Sequence, residues 1–142
     1  MVNKIVSTKA PPPVGLYPHA RLAGDFLFLS GVGPRLPGSA EVPGLSLDQH
    51  GNIVAYDMEA QCHSVFRNVR AILEEAGAAW EDLVDVTVFL TNMREDFATV
   101  NRIYADYFQD NQPARTTVEV TRLPTPIAIE LKCVAYLRNK SC

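Results

Sequence analysis

Apolar residues follow two rhythms along this chain, a two-residue alternation in short stretches and a helical spacing in two longer ones. The changes of rhythm predict the elements. HARLAGDFLFLSG, residues 19–31, reads as two strands joined near Ala23-Gly24, the second, Asp25–Ser30, with aromatic and aliphatic residues on both faces. Residues 33–51 are rich in Gly, Pro and Ser and read as a loop. GNIVAY then gives a short strand leading to Asp57, a good N-cap type. Cys62, Val65, Phe66, Val69, Ile72, Leu73 and Ala76 follow a helical period, and Gly77 is a natural stop. DLVDVTVFLT is the next strand. Asn92 and Glu95 stand at capping-box spacing ahead of Phe97, Val100, Ile103, Tyr104, Tyr107 and Phe108, which predicts a second helix. The chain closes with strand Thr116–Thr121, a Leu123-Pro124 corner and a long strand Ile127–Leu137.

Two strand–helix–strand units with right-handed crossovers place both helices on the same face of one mixed sheet, expected to have six strands. On the last strand Ile127, Ile129, Leu131 and Cys133 point one way, and Ala128, Glu130, Lys132, Val134 and Tyr136 the other. Phe26 and Phe28 oppose Leu27 and Leu29 in the same manner. Both faces carry apolar groups, yet two helices cover only one. The second face is expected to be buried against other copies of the chain. Glu130 then lies on the interface side, where a carboxylate needs a partner or a function.

With 142 residues and 47% hydrophobic content, the chain has material for one core, and residues 1–142 read as a single domain. A net charge of -3 leaves no broad basic surface for a phosphate backbone, so nucleic acid is not an expected partner. No stretch is long enough to span a bilayer and the N-terminus lacks the apolar run of a signal peptide, so a cytoplasmic protein is expected. Cys62, Cys133 and Cys142 form no CxxC pair; the first two are expected as small core residues. His19, His50 and His63 lack metal-ligand spacing, and no metal site is expected. GxGxxG, GxxxxGK[ST] and GxSxG are all absent.

GLYPHA, FLFLSG, PARTTVEVTRLP and IAIELKCVAY together resemble the RidA/YjgF reactive-intermediate deaminase family, over about Ala10 to Leu137. The resemblance implies a chorismate-mutase-like α+β subunit, a homotrimer with clefts between subunits, no cofactor, and hydrolysis of enamines or imines to keto compounds and ammonia. By position it implies that Arg115 binds a substrate carboxylate and Glu130 positions the hydrolytic water. It also implies that Tyr17 lines the pocket and that Ser30, Gly31 and the Thr117 backbone help to hold substrate. Gly15-Leu16-Tyr17-Pro18-His19-Ala20, Ser30-Gly31-Val32-Gly33-Pro34-Arg35 and the longer loop 36–51 are similar to the 2-aminomuconate deaminase branch, which implies conversion of 2-aminomuconate to 4-oxalocrotonate and ammonia in aromatic-compound degradation.

Such chemistry needs a cationic clamp, a positioned water and a proton shuttle. A guanidinium suits the clamp because it meets a carboxylate with two parallel hydrogen bonds and stays charged. A glutamate in a partly desolvated cleft can hold water and pass protons. The blander readings are an Arg115 ion pair with Asp110 or Glu119, and a Glu130 salt bridge with Lys132 or a neighbour's Arg115. A second substrate carboxylate calls for a second cation, for which Arg35 is preferred, with His19 and Arg122 behind it. Arg67 and Arg70 read as a solvated helix face. A general enamine or imine deaminase, and a non-catalytic ligand-binding or chaperone-like trimer, stand as the alternatives.

Overall fold

The computed structural model describes residues 3–137. Its strands are β1 (Lys4–Ile5), β2 (Ala20–Ala23), β3 (Phe26–Leu29), β4 (Ser46–Leu47), β5 (Ile53–Ala55), β6 (Leu83–Leu90), β7 (Ala114–Glu119) and β8 (Ile129–Tyr136). Helix α1 (Met58–Glu75) precedes β6, and α2 (Met93–Tyr107) links β6 to β7. Caps set the helix starts where the sequence marks them. Asp57 accepts from the Ala60 N–H and Asn92 from the Glu95 N–H. The β2–β3 hairpin turns on Gly24-Asp25, and Gly24, at φ 60°, supplies the left-handed conformation that such a tight turn requires.

Six strands form one sheet in the order β1-β2-β3-β8-β6-β7, antiparallel except for the parallel β6–β7 pair. Both helices lie on one face. Ile129, Leu131, Cys133 and Ala135 of β8 are buried in the core with Phe66, Val69 and Leu73 of α1 and Val100 and Ile103 of α2. Each such fully buried aliphatic or aromatic side chain contributes about 1.5–3 kcal/mol. Cys62 and Cys133 sit inside this core, where burial pushes each thiol up to about 12. Cys142 lies outside the described residues.

The sixth strand is not the expected one. Ile53–Ala55 pairs with Ser46–Leu47 in a separate two-stranded ribbon, while Lys4–Ile5, where no strand was expected, joins the sheet edge beside β2. All three residues of β5 are exposed, so it has no core face to dock, whereas β1 is held by backbone bonds from His19 to Ile5 and Leu22 to Asn3. The first crossover therefore runs from β3, with β8 inserted between the parallel strands β3 and β6. Strand β7 covers Ala114–Glu119 rather than Thr116–Thr121.

Strand β8 begins at Ile129, because a tight turn through Pro126, closed by Ile127 N–H to Thr125 O, comes first. Ala128 is consequently buried in the main core, and Ile127 packs with Val42 and Leu123 in a second cluster, the reverse of the sides expected.

The other sheet face is apolar and open. Phe26 and Phe28 remain 43% and 42% exposed, and the Tyr136 ring lies tilted beside Phe26 at 5.0 Å. Val84 and Val118 are exposed as well.

Candidate active site

A break in strand register builds one half of the site. Phe28 faces Val134, but Val32 faces Leu131, so four residues along one strand are set against three along the other. The extra residue falls at Leu29–Gly31. Ser30 is fixed there by its N–H to His19 O and its hydroxyl to Pro18 O, at 2.9 and 2.7 Å. Lys132 spans the bulge and donates to Leu29 O.

The bulge brings Gly31 against Glu130. A Cβ at Gly31 would stand 2.8 Å from Glu130 Oε2, so the glycine leaves room for the carboxylate. Glu130 is half-buried, and burial raises its pKa above the usual glutamate value. Lys132 does not ion-pair with it; among the described residues the one ion pair joins Arg102 to Glu59. A carboxyl with raised proton affinity favours folding while protonated, and that contribution is lost as pH rises through its folded value. Glu130→Gln is therefore expected to raise the melting temperature near neutral pH and to give no gain at about pH 4, read by calorimetry across that range.

Beside Gly31 lies a cavity of about 30 Å³, lined among others by Tyr17, His19, Ser30, Gly31 and Arg35. His19 has no polar atom to offer it. Its Nδ1 accepts from the Ser7 N–H and its Nε2 bonds Pro11 O, which fixes the neutral Nε2–H tautomer and makes the ring a clasp for the N-terminal segment. His19 thus shapes the wall and does not contact a ligand through its nitrogens. Arg35 donates from Nη2 to Pro12 O at 2.8 Å. Its loop is tied to α1 by Ser64, which donates to Pro34 O, and by Asn68, which donates to Gly33 O and Arg35 O. Arg122 lines a different depression, with Thr91, Thr121 and Thr125.

Arg115 lies on the opposite face. Its Nε donates to Thr117 Oγ1 at 2.8 Å, and its guanidinium lies over the rings of Tyr104 (4.5 Å) and Phe97 (5.8 Å) from α2. Nε is thereby engaged by Thr117. Neither Asp110 nor Glu119 pairs with it; Glu119 instead accepts from the Met93 N–H at the start of α2. Burial pushes the Tyr104 hydroxyl up to about 12, against the opposing pull of Arg115. Arg115 is registered with the core residue Val86, and Glu130 with Phe89 on the sheet face away from the helices.

One chain therefore brings together Glu130, Gly31, Ser30, Tyr17, His19 and Arg35, and holds Arg115 and Thr117 apart from them. Thr117 acts on Arg115 through its hydroxyl, while its backbone lies in register with Val88 in the sheet. Sequence reasoning missed the Tyr104–Phe97 cradle. Its signal was the seven-residue spacing, which puts both rings on one face of α2. Arg67 and Arg70 are exposed, as expected, with Arg70 lying over Trp80 at 4.8 Å. No group of three or more His, Cys, Asp or Glu that could hold a metal occurs among the described residues, and no helix there is long and apolar enough to cross a membrane.

A two-helix mixed sheet with a bulge-seated glutamate and an aromatic-backed arginine defines a class of fold and site. The chain belongs to the RidA/YjgF family, whose model, described as Endoribonuclease L-PSP, matches residues 7–137. A RutC family protein of Pyrococcus abyssi is 41% identical over 137 residues, covering 96% of this chain and 98% of the relative. Reactive Intermediate Deaminase A, chloroplastic, of Arabidopsis thaliana is 38% identical over 136 residues, 95% of this chain and 66% of that protein. The crystal structure of the YjgF gene product from E. coli superposes with a TM-score of 0.82 at 35% identity, covering 96% of this chain and 100% of that one.

Proposed function

We propose that this protein is a cofactor-independent deaminase that hydrolyses enamine or imine acids, with 2-aminomuconate as its substrate and 4-oxalocrotonate and ammonia as products. The observation that carries the reading is Glu130, a carboxylate of raised proton affinity seated against Gly31 with no cation within ion-pair distance among the described residues. Such a group can take a proton from water and return it. The enamine gains a proton at carbon and loses one from nitrogen, becoming an imine. Water adds to the C=N carbon while Glu130 takes its proton and passes it to the nitrogen, giving a carbinolamine; Glu130 then relays the hydroxyl proton to the nitrogen as the C–N bond breaks, so that ammonia leaves and the ketone forms. Arg115 holds the substrate carboxylate through both steps.

Arg115 and Glu130 lie on opposite faces of one sheet, so serving one reaction requires two chains. The open apolar face supports a homotrimer with shared clefts, for which light scattering is expected to give three times the chain mass. A ligand-binding or chaperone-like trimer would need the arginine, but it gains nothing from a desolvated glutamate. An RNA-cleaving role, which the family description names, fits poorly with a net charge of -3.

Ammonia release from 2-aminomuconate and from smaller 2-iminoacids, each generated in situ, tests the reading. Release from 2-aminomuconate is expected; release from none of the panel would leave the binding role. Release only from the small 2-iminoacids would make it a general deaminase. Gly31→Ala adds a sharper check. A flexible carboxylate can swing away from the new methyl at little cost to folding, and the displaced Glu130 is expected to lower kcat about 100-fold, with the melting temperature nearly unchanged.

A further inference from the structure

Resting on that reading for the substrate's chemistry, we infer that Arg35 binds a second carboxylate, in the cavity it shares with Tyr17 and Gly31, and so selects dicarboxylic enamine acids over monocarboxylic ones. Arg35 is half-buried and has no carboxylate within ion-pair distance among the described residues. A partly buried guanidinium without a counter-charge is a ready partner for a ligand carboxylate. Its one acceptor among the described residues, Pro12 O, engages Nη2 and leaves the other nitrogens for a ligand.

The position is also held more firmly than a solvated loop arginine needs. Three hydrogen bonds from Ser64 and Asn68 of α1 fix the carbonyls of Gly33, Pro34 and Arg35. The cavity, about 30 Å³, has room for about two waters or one carboxylate group, so it accepts the end of a molecule and not the whole. Gly31 lines that cavity and also touches Glu130, so the cavity and the carboxylate adjoin at one residue. The competing cations are accounted for: both His19 nitrogens are engaged, and Arg122 lines another depression.

Two unreactive six-carbon dienoic acids, muconate and sorbate, differ by a carboxylate in place of a methyl group and serve as probes. Calorimetric titration of the intact protein is expected to show muconate bound at least about 10-fold more tightly than sorbate. In Arg35→Gln the preference is expected to shrink to within about twofold. Arg35→Lys, which keeps the charge without the planar pair of donors, is expected to fall between. Melting temperatures show whether a variant has only loosened its loop; should Arg35→Gln fail to fold, Arg35→Lys decides alone by whether its preference falls. Equal affinity for the two acids, no measurable muconate binding, or a preference that survives in the folded variants would overturn the assignment. Binding is read here without turnover, so absent ammonia release would sink the deaminase reading separately.

Discussion

Replacing Arg115 with alanine is expected to lower kcat/KM for 2-aminomuconate by about 2–5 kcal/mol, a loss of tens-fold to thousands-fold, because it removes the cation to which the proposed function assigns the substrate carboxylate. Lysine is not expected to rescue it. Arg115 works through a fixed plane, with Nε tied to Thr117 and the flat group laid on Tyr104, and an ammonium reproduces neither contact. The loss appears in turnover and in binding together, since the clamp acts in ground state and transition state alike. Near-wild-type turnover by an intact Arg115→Ala assembly would make this a structural arginine.

The second large effect comes from mixing chains. Glu130→Gln alone is expected to reduce kcat by about 100-fold to 10,000-fold while ligand binding changes little, because shape and some hydrogen bonding persist without the proton acceptor. Arg115→Ala and Glu130→Gln chains, unfolded together in equal amounts and refolded, are expected to recover about a quarter of wild-type activity. That fraction is the chance that a cleft takes its arginine from one variant and its glutamate from the other. Recovery no greater than the average of the two pure variants would place both residues in one chain's site and contradict their separation across the sheet.

Much of this was legible in the sequence because the strong signals are local. Alternation in IELKCVAY assigns β8 and puts Glu130 opposite the core, and Asp57 and Asn92 mark their helix starts by a single hydrogen bond each. What failed was pairing. Nothing local distinguishes Ile53–Ala55, which finds a ribbon partner in Ser46–Leu47, from Lys4–Ile5, which finds the sheet. The turn at Pro126 likewise reversed Ile127 and Ala128, since one residue of slip flips every side chain before β8. At the site, residue types pointed to Arg115 and Glu130, but only the register of β7 and β8 shows that they face apart. His19 read as a possible ligand contact because its two partners, Ser7 N and Pro11 O, are backbone atoms with no side-chain signature.

The polar stripe on α1 has a consequence for how such a chain can diversify. Gln61 bonds the Ala128 N–H, Ser64 bonds Pro34 O and Asn68 bonds Gly33 O and Arg35 O, so the helix pins the backbone on either side of the site from within the core. The segment from Leu36 to His50 leaves that anchor after Arg35, packs Val42 on Leu123 and Ile127, meets the start of α1 at Gly44, and returns to the helix through β5 and the Asp57 cap. Insertions or deletions at the exposed stretch 37–41, ahead of Val42, need not move Arg35 or Glu130. Length variation in this loop can therefore reshape the rim and adjust which acids enter, while the chemistry beneath stays where α1 holds it.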